Sequence, residues 1–290
     1  MNFIIILVSL LLDQIMRWFE HVRLHPWYEA PLARWAGAAR TAATPAQALA
    51  ALAPTFVLAF AVGAVAWGLD RINPILGFVY GVVVLVLSLG PRNLTLQASA
   101  YLRARASGDR KRARAIAELV LERDAPEDLS GAGADIAEAV LERAGDYLFC
   151  VIFWFAVLGP LGAALYRAAD TLAVRARVDA PDSVYADYTE SLKQVLAWIP
   201  LHLLALTYAI AGSFDEAMSD IRKAWREAGT HFWDRGNLVL AYAGRRAVRA
   251  VASGDADEVE LMHAAVDLIW RGFVIWLTAI GLITLLGWLF

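Results

Sequence analysis

The stretch INPILGFVYGVVVLVLSLGP, Ile72 to Pro91, contains no Asp, Glu, Lys or Arg. Four other charge-free runs of similar length accompany it: Thr41 to Leu69, Tyr147 to Tyr166, Gln194 to Phe214 and Gly272 to Phe290. A bilayer core of ~30 Å takes about 20 apolar helical residues, so each run has the length of a membrane span. Strand signals are scarce. The expectation is an all-α, polytopic membrane protein with about 5–6 embedded helices, a cytoplasmic helical hairpin and amphipathic helices.

Composition agrees. The 290-residue chain is 59% hydrophobic with a mean hydropathy of +0.51 and 11 tryptophans, more apolar surface than a soluble domain of this size can bury. A net charge of -3 gives no global attraction to nucleic acid. The single cysteine, Cys150, excludes an intrachain disulfide and any multi-cysteine metal site. Met1 to Leu12 is apolar but lacks a basic leader and a cleavage motif, so it reads as a retained first helix.

Of the 26 lysines and arginines, 21 fall within Arg17 to Arg40, Arg92 to Arg143 and Arg222 to Arg271. Cationic loops favour the cytoplasmic side, which places 92–146 and 215–271 there as helical segments of one 1–290 membrane domain. Gly159-Pro160 and Pro200 interrupt two of the spans, which are then kinked or re-entrant. Ser107-Gly108-Asp109 divides a helical hairpin, with Asp109 as the cap of its second helix.

The chemistry-bearing pattern is Glu138, Glu142 and Asp146, spaced i, i+4 and i+8 on one helix face. Like charges at that spacing repel, so compensation is required. Magnesium bridging a phosphate would supply it, as would arginines of the hairpin. In the sharper arrangement Arg103, Arg110, Arg114 and Arg123 face the three carboxylates across a cavity. Arg167 and Asp170, spaced i, i+3, form a plain ion pair. His202 is polar within an apolar span, and His21 and His25 could share a metal with Glu20 or Glu29. Ser130-Gly131-Ala132-Gly133 lacks the Lys-Ser/Thr of a phosphate loop and reads as a linker.

Gly108-Asp109-Arg110-Lys111-Arg112-Ala113-Arg114, followed by Val120-Leu121-Glu122-Arg123-Asp124, resembles the hairpin of the CobD/CbiB cobalamin-biosynthesis membrane family. Glu138, Glu142 and Asp146 match that family's acidic stretch. Phe153-Trp154, Gly159-Pro160, Gly162-Ala163, Tyr166-Arg167 and Thr171-Leu172 keep its spacing, the last within an Asn-Thr-Leu pattern. Asp13, His25-Pro26 and Trp198-Ile199-Pro200 match further positions, so the likeness covers most of residues 1 to 210. It implies the family's membrane fold and its reaction, amide formation between a corrinoid carboxylate and an aminopropanol-type amine. It also implies polar motifs that hold nucleotide, metal and phosphate. Taken from the residues and from the likeness together, the candidate ligand-binding positions are Asp13, Arg103, Asp109, Arg114, Arg123, Asp124, Glu138, Glu142, Asp146, Arg167, Asp170 and His202.

Several positions depart from the pattern. Arg143 replaces an Asn, Ala173-Val174 an Asp-Ser, Lys193-Gln194 an Asp pair and Leu201-His202 an Ala-Arg. His231-Phe232-Trp233-Asp234 stands where a Ser-Pro-Asn-Ala-Gly motif belongs. Losing acidic ligands weakens a metal-phosphate site. Length, layout and departures together resemble the AmpE group of bacterial inner-membrane regulators, which shares the fold. That resemblance implies a non-catalytic modulator of β-lactamase induction with membrane lipids, a small phosphorylated or nucleotide ligand and a membrane or cytoplasmic protein as partners, with room for an oligomer. The alternative is a divergent enzyme with magnesium on Glu138, Glu142 and Asp146; a transporter would need an inverted repeat that is not evident.

Overall fold

Pro74 sets the geometry at the centre of the opening stretch. A residue that precedes proline is driven to extended backbone, and Asn73 adopts φ -158°, ψ 119°. Its Oδ1 accepts a 2.9 Å hydrogen bond from the Ile75 amide. One helix therefore stops at Ile72 and the next starts at Pro74.

The computed structural model describes residues 2–16, 32, 34, 44–89, 94–121, 125, 133–212, 222, 235–251 and 257–287. The helices are α1 Asn2–Met16, α2 Pro45–Ala50, α3 Ala53–Ile72, α4 Pro74–Leu89, α5 Leu94–Ala106, α6 Arg110–Leu121 and α7 Gly133–Ala144. A π-turn, Gly145–Phe149, leads into α8 Cys150–Leu158, and then come α9 Pro160–Asp179, α10 Val184–Ala211, α11 Arg235–Val251 and α12 Glu258–Leu285. No strand occurs among the described residues. The all-α expectation holds, and the protein is a helical membrane protein.

Among the described residues, three helical runs are long and apolar enough to cross a bilayer: Ala46–Ile72, Val184–Ala211 and Val259–Leu285. Two of the other expected spans are shorter. At 1.5 Å per residue, the 16 residues of α4 reach about 24 Å. The Tyr147 to Tyr166 run is not one helix, because Gly159 adopts φ +63°, ψ -148°, a region essentially reserved for glycine. The 9-residue α8 ends there, and Pro160 opens α9. Pro200, by contrast, lies inside the unbroken α10. Proline leaves the carbonyl four residues back without its amide, and the Trp154 indole N–H donates to that carbonyl, Leu196, at 2.9 Å.

The chain divides into two units. The first comprises Met1–Pro91, Cys150–Ala197 and Ile280–Phe290; the second comprises Arg92–Phe149 and Trp198–Ala279. In the first, α3, α4 and α9 pack on one another, and α1 packs on α4. Small residues permit the close approach: a Cβ on Gly63 would lie 2.8 Å from Leu161 Cδ1, and one on Gly81 3.0 Å from Ile5 Cδ1.

In the second unit α5 and α6 form the expected hairpin. Gly108 turns with φ +71°, and Asp109 Oδ1 accepts from the Arg112 amide at 3.1 Å, capping α6. Helix α7 packs on α6 and α11. Beyond it, Phe149 meets Trp276 and Tyr208 edge to face, and the Trp276 indole donates to Thr207 Oγ1 at 3.0 Å.

Candidate functional site

Helix α7 carries the acidic ladder in the second unit. Its buried stripe is Ile136, Ala137, Val140, Leu141 and Ala144, an apolar face at helical spacing. Asp135 lies in the first turn of α7, where its negative charge suits the positive end of the helix. The next two acidic residues, Glu138 and Glu142, are half-buried. Asp146 follows in the π-turn, where a Cβ on Gly145 would meet Leu201 and Leu240 side-chain carbons at 2.9 Å. A larger residue there would require the two leucine ends to shift.

The counter-cation of Glu138 is Arg245 of α11. Its Nη2 lies 2.6 Å and its Nε 2.8 Å from Glu138 Oε2, and the hydrogen bond raises the guanidinium above its ordinary value. Two of the hairpin arginines have other partners, Arg114 with Glu118 at 2.8 Å and Arg103 with the Ser99 carbonyl at 3.2 Å, while Arg110 is exposed at the hairpin tip. Compensation of Glu138 thus comes from α11, which the arrangement of hairpin arginines did not foresee. Arg143 ties α7 to α6 by donating to the Val120 carbonyl at 3.4 Å.

Glu142 is the perturbed group. Burial is the main cause, the negative charges of Glu138 and Asp146 add to it, and together they push its carboxyl up to about 7 against the opposing pull of Arg143 and Arg245. A carboxyl poised there exchanges a proton at neutral pH, the property required of a general acid or base. The ladder does not form a metal cage. Among the described residues no three His, Cys, Asp or Glu side chains group closely enough to hold a metal ion, and one rung is committed to an arginine. Glu138, Glu142 and Asp146, the magnesium ligands expected above, are not gathered around one point here.

The first unit holds a separate charged cluster. Arg167 Nη1 lies 3.0 Å from Asp170 Oδ2, the expected ion pair, and Lys193 Nζ lies 3.0 Å from Asp170 Oδ1. Arg167, Asp170 and Lys193 are 7%, 2% and 6% exposed, so these charges are buried and held by one another. Arg167 also lines a small cleft whose other walls include Leu58, Val62, Val84 and Ala164. Lys193 was read from the sequence as a lost acidic ligand. It is the partner of Asp170.

The remaining expected positions are dispersed. His202 Nδ1 lies 2.7 Å from the Trp198 carbonyl and its ring 4.6 Å from the Trp198 ring, contacts within its own helix. Asp13 lies on α1, and Asp109 serves as the cap of α6. Arg123, Asp124, the pair His21 and His25 with Glu20 and Glu29, and His231 to Asp234 lie outside the described residues. The two functional side chains that sequence reasoning missed are Arg245 and Lys193. The amphipathic pattern of α11 and a lone lysine beside an apolar run were the signals available.

A profile of the family described as CobD/Cbib protein matches residues 6–249. Cobalamin biosynthesis protein CobD of Chromobacterium violaceum is 33% identical over 73% of this chain and 65% of its own length. The protein of the same name from Stutzerimonas stutzeri is 31% identical over 78% of both. The chain thus spans just under two thirds of the first of these relatives. No solved structure matches.

These relatives overturn the expected role. They are named for cobalamin biosynthesis, so the reading as a non-catalytic, AmpE-type regulator of β-lactam signalling is withdrawn. Its physical ground was the loss of acidic side chains, and at Lys193 that apparent loss is a buried ion pair.

Proposed function

This chain belongs to the CobD/CbiB family, and from that premise we propose that it is a membrane enzyme of cobalamin biosynthesis. The observation that carries the reading is a family match running from residue 6 to residue 249. The reaction is the one that the family resemblance implies, in which an activated corrinoid carboxyl and an amine form an amide, with a phosphate- or nucleotide-bearing co-substrate. An ammonium cannot attack, because its lone pair holds a proton. Glu142, pushed up to about 7, is deprotonated in about half of the molecules at neutral pH. It takes the ammonium proton onto its carboxylate, the freed nitrogen attacks the carboxyl carbon, and the activating group leaves carrying the second N–H proton on its oxygen. Arg245, fixed by Glu138, limits how far the Glu142 value rises and keeps the base available.

The test is amide formation by purified protein in detergent, followed by mass spectrometry of the corrinoid with amine and nucleoside triphosphate supplied. Product that depends on Glu142 supports the reading. Absence of product from folded wild-type protein, across amines and nucleotides, removes it.

A further inference from the structure

We propose that the tip of the α5–α6 hairpin is a docking surface for the anionic phosphate headgroups of the bilayer. The proposal is independent of the biosynthetic reading. Between Arg103 and Arg112 the tip sets five cations against one carboxylate, Asp109, and the Oδ1 of that carboxylate accepts from the Arg112 amide. Arg110, Lys111 and Arg112 are all exposed, and no described carboxylate pairs with them. They occupy the first turn of α6, where unpaired amides already present positive charge and cations are unfavourable. The next carboxylate along α6, Glu118, is engaged by Arg114. A local rule is therefore broken three times in succession, and an external anion is what relieves it.

The shape selects the kind of anion. Gly108 turns the chain in a left-handed conformation, and a Cβ placed there would meet no described atom within 4 Å. Residues 106–112 are exposed throughout. A small phosphate needs donors that converge from several sides, whereas this tip projects its cations outward from a single turn. A spread of outward cations matches an extended anionic surface, the kind that a bilayer presents. Lysines and arginines near such a surface gain attraction that decays within a Debye length.

The full-length protein would be reconstituted into nanodiscs of phosphatidylcholine alone, or with phosphatidylglycerol making up about a third of the lipid as the anionic component. Amide hydrogen exchange would then be followed across residues 103–114. The expected result is exchange slowed at least several-fold at 107–113 by phosphatidylglycerol. That slowing should be lost in the Arg110→Gln/Lys111→Gln/Arg112→Gln variant and in about 0.5 M salt, where screening shortens to a few ångströms. Unchanged protection along α5 in the variant shows that the hairpin remains folded. Equal exchange in the two lipids overturns the proposal. So does equal protection in phosphatidylcholine on adding inorganic phosphate or a nucleotide, which assigns the tip to a soluble anion, or on adding RNA.

Discussion

Lys193 places its Nζ 3.0 Å from Oδ1 of Asp170, joining α10 to α9 with both side chains less than a tenth exposed. Removing the partner of a buried charge costs about 3–5 kcal/mol. Asp170 also holds Arg167 at 3.0 Å, so Asp170→Asn, which strands both cations, should lower the unfolding temperature in detergent more than Lys193→Met, which leaves the carboxylate with Arg167. Equal losses from the two variants would show that Arg167 and Lys193 do not share this carboxylate.

Trp154 and Pro200 should behave as a second coupled pair. The indole N–H donates to the Leu196 carbonyl that proline leaves without an amide. Trp154→Phe keeps an aromatic ring and removes the donor, which should cost about 1 kcal/mol for a partly buried carbonyl left without its partner. Adding Pro200→Ala restores an amide at position 200 and should return most of that stability, as read by thermal unfolding of the four variants of the cycle. Additive losses would mean that the indole bond is incidental.

How much of this could be read in the residues varies with how local the cause is. The α5–α6 hairpin was legible because a turn glycine and a capping aspartate are neighbours in sequence. The Gly159-Pro160 break was visible, but its backbone geometry, and with it the distinction between a bend and a full stop, is set by a φ that sequence does not display. Pro200 looked like a similar break. It is absorbed because a tryptophan 46 positions earlier supplies the missing donor. Lys193 and Arg245 were misjudged or missed for the same reason, since their carboxylate partners lie on other helices. The acidic ladder was legible by spacing alone, whereas the elevated carboxyl at Glu142 depends on burial that only the fold creates.

Glu142 links stability to pH with a definite sign. Its folded value is raised from 4.5 to about 7, so between those values the folded chain holds a proton that the unfolded chain has released. Stability therefore falls as pH climbs through that window and levels off above it, by on the order of 3 kcal/mol. Glu142→Gln should flatten the slope and leave the variant more stable than wild type at pH 8 in urea titrations. The same variant should lose roughly 100-fold or more in amide formation, the scale of a missing proton acceptor. A variant with unchanged slope would place the titrating group elsewhere.

Arg245 should tune that base. Its charge opposes the rise at Glu142, so Arg245→Ala should move the acidic limb of the pH–rate profile to higher pH, while Arg245→Lys, which keeps the charge, should move it less. A loss of rate at every pH with no displacement of the limb would indicate that Arg245 acts on folding alone.

The most direct measurement is growth of a bacterium that makes its own corrinoid ring but lacks its CobD-type protein, supplied with this chain and grown without added cobalamin. Wild-type protein should restore cobalamin-dependent growth. Glu142→Gln should fail to do so while accumulating in the membrane fraction to the same level. Wild-type protein present in the membrane at that level, with growth still dependent on added cobalamin, would contradict a role in cobalamin biosynthesis.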